Sequence, residues 1–565
     1  MMIFSPLLEK MFANRGYTES FLTTYEQYDP SEQMLNARAF CERLRELRLD
    51  PTCPHIVFMP DFDMDGIMSG VVGFAGLFEL GFNVSLHVPD PKDGYGFNKD
   101  TIDRIVANYP GVKVLITADN GISCHEGVAY AKQLGLEVLL TDHHKQDGGL
   151  PAADFVVDPM QEADTFSMPY ICGANVIYQL LQLYADMYGD NQMKSQIRRL
   201  RVFAGIGTVS DSMPLLNMNR QLVRDAIAIC KLVYANGDDY VVSHIMGSPV
   251  YRSAFYGLKT VLDVFTAAGK LSSKDDIDEQ FFGFYLAPMF NSVKRMDGDM
   301  MRAFGVFFSD TKLDDANYLY ELNERRKTSV AAYLEELQET DNAMAPYVYI
   351  TTASRGLAGL LATQLMDIMK GPCIVVRRED DGTYAGSGRS PAWYPFLTRA
   401  SGHFCAAAGH ESAFGIHFDS WDDIQKYFDF IQEDTADVLQ GVDLESFQIR
   451  PDFVIDPYGN GDIGIDIMAF MEFLDELERY RPFGVSFEEP CVLLRFYPGD
   501  ATWQLIGSMK QHLKLRLPYG FEVLVWNASD KIALQTSDEM VSLYGKLSKH
   551  TFRDVETVQF IGNFV

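Results

Sequence analysis

Apolar residues fall into three patterns along this chain. Short unbroken runs at Ile56 to Met59, Val112 to Thr117 and Glu137 to Leu140 predict buried strands of an open α/β sheet with parallel strands. Leu319, Leu322, Arg326, Val330, Tyr333, Leu334 and Leu337 recur every three or four residues in a stretch without Gly or Pro, which predicts one long amphipathic helix. From His512 to Leu517 apolar and cationic residues alternate, the signature of a strand with leucines on one face and His512, Lys514 and Arg516 on the other. The longest apolar run, Ile67 to Phe78, is too short to span a bilayer, and no membrane contact is expected.

Acidic and imidazole side chains at the ends of the first three runs change the picture from architecture to chemistry. Asp61, Asp63 and Asp65 come after the first run, Asp119 after the second, and Asp142, His143 and His144 after the third; Asp211 closes the segment Gly207 to Asp211. Ligands bind where the strands of an open parallel sheet end. The Asp-x-Asp-x-Asp-Gly spacing also opens an EF-hand loop, but position twelve of that loop is Val72, where a bidentate Glu is required. Imidazole among carboxylates, with no thiolate nearby, suits manganese or magnesium better than structural zinc. About five carboxylates at one edge repel unless several positive charges lie between them, so two divalent cations are expected. Such a pair supports in-line phosphoryl displacement, and phosphodiester hydrolysis is the expected reaction class.

These motifs, with Leu7 to Gly16, Asp93 to Phe97, Cys172 to Asn175, Ala287 to Ser292 with Arg295, Leu322 to Arg326, Gly386 to Ser390 and Gly409 to Gly415, resemble the RecJ exonucleases of the DHH phosphoesterase superfamily in order and over almost the whole chain. The resemblance implies that Asp119 bridges two ions, with Asp61 and Asp63 toward one and Asp65, His143 and Asp211 toward the other. It also implies that His144 faces the scissile phosphate and that Asp142 holds an imidazole in the right tautomer. Manganese is the preferred ion and magnesium the second choice.

The implied domains are N-terminal helices with the DHH catalytic domain (1–230), a helical region with the long connecting helix (231–341), a smaller α/β DHH-associated domain (342–440) and an OB-type β-barrel (441–565). Asn291, Arg295, Ser387, Gly388, Arg389, Gly409 and His410 are the expected phosphate contacts. Small residues in two Gly-rich loops would let amides approach an anion, and Arg389 would grip it in bidentate fashion. Lys510, His512, Lys514 and Arg516, with Phe496, Tyr497 and Trp503 as stacking candidates, would hold single strands on the barrel.

Charge complicates this reading. The 565 residues carry a net charge of -30, whereas nucleic-acid binders usually present cations; the acidity is read as metal ligands plus a solvated exterior, with local basic clusters at Arg198 to Arg201, Arg325 to Lys327 and Lys510 to Arg516. Eight cysteines without a Cys-x-x-Cys pair point to a reducing compartment, and with no basic leader before an apolar core at the start, a cytoplasmic location is expected. Two cations of the RecJ pattern are missing, one in the shortened segment Val88 to Asp93 and one at Met289, which bears on recognition of a 5′ phosphate; Lys92, Lys294 and Arg295 are the available substitutes.

The expected function is metal-dependent 5′ to 3′ digestion of single-stranded DNA to mononucleotides in repair and recombination, with a single-strand-binding protein or helicase as partner. A nanoRNase or cyclic-dinucleotide phosphodiesterase is the second reading and lacks an OB section. A non-catalytic replication scaffold is the third, and such relatives have lost ligands that this chain retains.

Overall fold

The computed structural model describes residues 5–17, 31–90, 92, 94, 96–146, 148–340, 342–441, 450–552 and 555–564. Met1 to Phe4, Pro91, Asp93 and Tyr95, which figure in the sequence patterns above, lie outside the described residues. The chain forms two compact units, one of Tyr28–Met213 with Gln221–Phe447, the other of Met1–Gln27, Pro214–Arg220 and Gln448–Val565.

In the larger unit, β1 (His55–Pro60), β2 (Val84–Leu86), β3 (Val112–Ala118), β4 (Glu137–Thr141) and β5 (Phe155–Val157) form a parallel sheet of order β2-β1-β3-β4-β5. Both faces are covered, which is why the strand sequences read as unbroken apolar runs. Val57, Met59, Leu115, Val138 and Leu140 pack with Ile102, Ile105 and Val128 of helices Lys99–Asn108 and His125–Gln133. The strand order reverses between β1 and β3, so Asp61 and Asp119 flank the topological switch point.

Helices Pro249–Ala267, Ala287–Arg295 and Met300–Phe308 come next, then the 28-residue helix Lys312–Glu339, about 42 Å long at 1.5 Å per residue. As its period predicts, Leu319, Leu322, Val330 and Leu337 are buried. A second sheet contains β6 (Val348–Ile350), β7 (Cys373–Arg378), β8 (Tyr384–Arg389), β9 (Ala406–His410) and β10 (Ala413–Phe418) in the order β6-β7-β8-β10-β9. Helix Arg355–Met369 covers one face and helix Trp421–Gly441 the other.

The smaller unit holds β11 (Phe453–Ile455), β12 (Val492–Phe496), β13 (Thr502–Ile506), β14 (His512–Arg516), β15 (Glu522–Val525), β16 (Val541–Phe552) and β17 (Val555–Phe564), ordered β11-β12-β16-β17-β15-β14-β13. All seven strands contribute to one core, as in a sheet wrapped around its own interior. Helix Pro6–Arg15, grouped by sequence with the catalytic domain, belongs here instead: Leu7, Leu8, Met11 and Phe12 enter that core. Its apolar face requires a partner, and the barrel end supplies one. Arg15 locks it by two bonds to Asp452, Nε to Oδ1 at 2.6 Å and Nη2 to Oδ2 at 2.7 Å, while Cys491 donates its amide to the same carboxylate. Arg15→Ala strands a buried carboxylate and is expected to cost this unit about 3 kcal/mol, read as faster amide exchange in β12 and β16. Unchanged exchange would show that the helix is dispensable.

Among the described residues no helix is long and apolar enough to cross a membrane, and all eight cysteines are free.

Candidate metal centre

The acids of the centre are delivered in different ways. Asp61 directly follows β1; Asp63 caps helix Met64–Glu79, accepting the Gly66 amide at 3.0 Å, and Asp65 lies in its first turn. Asp119 follows β3 in the left-handed region at φ 64°, a conformation Asp and Asn tolerate better than most residues. His143 lies just past the end of β4, and Asp211 ends helix Arg201–Ser210. All of these residues, far apart in sequence, meet.

Ligand atoms of Asp61, Asp63 and Asp119 lie within 4.8 Å of one another, as do those of Asp65, His143 and Asp211, and those of Asp119, His143 and His144. His143 Nε2 is 2.9 Å from Asp119 Oδ1, 3.6 Å from Asp211 Oδ2 and 3.8 Å from Asp65 Oδ2. Despite these approaches this buried nitrogen makes no hydrogen bond; an imidazole nitrogen facing three carboxylates without bonding any is placed as a metal ligand is.

The electrostatics agree. Burial, then Asp63, pushes Asp65 up to about 6 even though Cys172 and the Gly173 and Ala174 amides favour its charge. Burial, with Asp65 and Asp63 after it, pushes Asp211 up to about 8. Asp61 and Asp119 stand well above the usual carboxylate range, from burial first and neighbouring aspartates second. Burial and His144 pull His143 down to about 4, keeping it neutral as a ligand must be. Three buried acids and the half-buried Asp211, which resist ionising together around one neutral imidazole, fit divalent cations.

Close packing fixes these ligands. Asp65 accepts the amides of Gly173 at 2.7 Å and Ala174 at 3.2 Å, at the start of helix Gly173–Tyr188. Two glycines leave the necessary room: a Cβ at Gly173 would lie 2.4 Å from Asp119 Cβ, and one at Gly207 would lie 2.4 Å from Asp65 Oδ1. Asp142 is fully buried; its Oδ2 accepts the Ile122 amide at 2.9 Å, and its Oδ1 accepts the His143 amide and holds His144 Nδ1, both at 2.8 Å. Burial opposes charge on His144, but the bond and charge of Asp142 prevail and raise it to about 9. Asp142 thus orients His144, not His143.

Sequence reasoning missed Asp158. It follows β5 as the other acids follow their strands, is fully buried, and is pushed up to about 8 by burial and then by Asp142. The run Phe155 to Val157 before it was the available signal.

Cations gather on the adjoining side. Asn291 Oδ1 accepts the Met64 amide at 2.8 Å, tying helix Ala287–Arg295 to the aspartate loop. Lys294 Nζ lies 4.0 Å over the Phe62 ring, with Asp61 and Asp63 favouring its charge against burial. Arg295 feels Arg326 and Arg389 as repelling neighbours, and none of these three guanidiniums forms an ion pair among the described residues. Met289 is fully buried. Ser354 Oγ donates to the Arg295 carbonyl at 3.2 Å, so the second sheet's leading helix adjoins this cluster.

The Gly-rich segments expected as anion loops are strands. Ser387, Gly388 and Arg389 belong to β8, paired to β7 on one side and β10 on the other, so their amides serve the ladders. Gly386 and Gly388 are small for packing: Cβ atoms there would meet Val375 O at 2.0 Å and the Phe414 ring at 2.2 Å. Alternation instead turns Ser387 and Arg389 toward Gly359, leaving side chains as phosphate donors. Gly409 and His410 end β9 at a hairpin with β10, His410 exposed.

On β14, Leu513 and Leu515 are buried as the alternation predicts. The opposite face is less cationic than its sequence, because Glu522 binds both Lys514 and Arg516 at 2.9 Å. His512 Nδ1 accepts the Asn527 amide at 3.0 Å, and Lys510 occupies a left-handed turn. Of the stacking candidates, Phe496 is core and Trp503 is stacked on Phe564, while Tyr497 is exposed. Trp526 and Tyr519 are exposed aromatics that sequence patterning passed over.

Residues 55–206, which hold the switch-point sheet and the acids that follow β1, β3, β4 and β5, match the DHH family, N-terminal domain. Residues 465–563 match the RecJ OB domain. The chain is 25% identical to the single-stranded-DNA-specific exonuclease RecJ of Escherichia coli, over 98% of this chain and 95% of that one. Identity to the protein of the same name from Bacillus subtilis is 25%, over 91% of this chain and 61% of that one. The crystal structure of RecJ in complex with Mn2+ from Thermus thermophilus shares the fold, with TM-score 0.72 and 20% identity over 99% of this chain and 75% of that one.

Proposed function

We propose that this chain is a metal-dependent exonuclease that hydrolyses phosphodiester bonds of single-stranded DNA in the 5′ to 3′ direction, releasing mononucleotides in DNA repair and recombination. The observation that carries it is the pair of ligand clusters, Asp61-Asp63-Asp119 and Asp65-His143-Asp211, joined where His143 meets Asp119. When bound, two divalent cations, manganese in preference to magnesium, supply Lewis-acid polarisation of the phosphoryl oxygens and a hydroxide nucleophile near neutral pH.

The chain's own residues supply the rest. His144, held protonated by Asp142, places a charged donor beside the scissile phosphate and stabilises negative charge that develops there. Arg295, Arg326 and Arg389 have no carboxylate to release before gripping the strand's phosphates. Arg389→Ala is expected to raise KM for single-stranded DNA about 10-fold with a smaller change in kcat; a pure kcat loss would contradict a binding role.

The direction rests on the resemblance to RecJ exonucleases. Residues 342–440 serve as substrate-binding domain and the barrel as a single-strand contact through Lys510, His512, Lys514 and Arg516. A cytoplasmic location and a single-strand-binding protein or helicase as partner belong to the same reading. The nanoRNase and cyclic-dinucleotide readings are disfavoured by the RecJ OB domain at 465–563, and the scaffold reading by the complete ligand set.

Single-stranded DNA labelled at either end, digested with manganese at low salt, tests this. Immediate release of labelled mononucleotide from the 5′ end, absent in His143→Ala, is expected. Intact long strands with cleavage of di- to pentanucleotides would turn the assignment to a nanoRNase, and no cleavage at all to a scaffold.

A further inference from the structure

The basic run Arg198 to Arg201 takes no part in the metal centre. It lines a cavity of about 620 Å³ between the end of helix Asn191–Arg199, the start of helix Arg201–Ser210, and helix Asn217–His244. Arg201 opens the ten-residue helix that Asp211 closes, so the cavity lies about 15 Å from the metal ligands. It is a separate place.

Its shape depends on a break in helix Asn217–His244. Gly237, at φ 54° and ψ -136°, interrupts the helix and redirects its last turns, which carry Tyr240 and His244 to the cavity wall. These two rings stack on each other, centroids 4.9 Å apart and planes 15° from parallel. Arg199 is held by the His244 carbonyl, and Arg201 pairs with Asp225 at 2.9 Å. Arg198 lines the same wall and forms no ion pair among the described residues. On a chain of net charge -30, this wall gathers three guanidiniums against Asp225 and Asp239.

We propose that this cavity binds a nucleoside monophosphate, its phosphate on Arg198 beside Arg199 and its base on the Tyr240-His244 pair. Guanidinium groups suit phosphate and flat π surfaces suit bases of any sequence. The volume lies in the range of small-ligand sites. The assignment does not depend on the nuclease reading.

Binding of deoxyadenosine 5′-monophosphate to the full chain in EDTA tests it, with deoxyadenosine and inorganic phosphate as separate probes. The nucleotide is expected to bind at least 10-fold more tightly than either probe. Arg198→Ala and Tyr240→Ala should each weaken it at least 10-fold, while Arg389→Ala leaves it unchanged. Arg198 is exposed, so its variant keeps the fold, and its digestion of single-stranded DNA should match wild type. Nucleotide binding no tighter than phosphate, binding undiminished in both cavity variants, or loss in Arg389→Ala instead would overturn the assignment.

Discussion

Asp119→Asn is expected to lower hydrolysis of single-stranded DNA by at least about 10⁴-fold, equivalent to about 5.5 kcal/mol of lost transition-state stabilisation, yet to raise the melting temperature of the metal-free protein. Both effects come from one carboxylate. Asp119 belongs to the cluster with Asp61 and Asp63 and also lies within ligand distance of His143 from the other, so its loss is expected to disturb both cation positions. Burial and four neighbouring aspartates also oppose its charge, so a neutral amide relieves repulsion when no cation is present. Asn is the informative replacement because it tolerates the left-handed backbone at φ 64°. A gain of roughly 1 kcal/mol corresponds to about 1 °C for a chain of this length. Calorimetry in EDTA and with manganese, beside the nuclease assay, measures both; a variant less stable in EDTA than wild type would mean that the aspartates do not strain the empty centre.

Gly207→Ala and Gly173→Ala are each expected to lower kcat at least about 10²-fold without removing a ligand. The added methyl would need the space of Asp65 Oδ1 in the first and of the Asp119 Cβ in the second, and a displacement near 1 Å at a catalytic group costs that much. The lost activity should come with weaker manganese binding by titration calorimetry. Wild-type manganese affinity in either variant would show that the packing around these aspartates yields more easily than their spacing implies.

Much of this centre was legible because Asp61, Asp119 and Asp142-His143 follow apolar runs, and strand ends of one sheet share an edge. The same logic applied to Asp158, which was passed over because Phe155 to Val157 is too short to stand out as a strand. The phosphate-binding segments failed differently. Whether the amides of Gly386 to Arg389 face an anion or a neighbouring strand depends on Cys373–Arg378 and Ala413–Phe418 pairing on either side, and no local pattern records that. Arg326 was visible only as one position on a helix; its approach to Arg295 and Arg389 arises from tertiary packing. Likewise the apolar face of Pro6–Arg15 announces that a partner exists without saying which.

That last placement has a consequence in time. Arg15 and Asp452 are 437 residues apart, and at typical rates of synthesis the ribosome needs on the order of 20 to 90 s to cover that interval. Throughout it, Leu7, Leu8, Met11 and Phe12 have no barrel to enter. Leu7, Leu8, Met11 and Phe12 can therefore be sheltered from water only after the strands from Phe453 onward have been made.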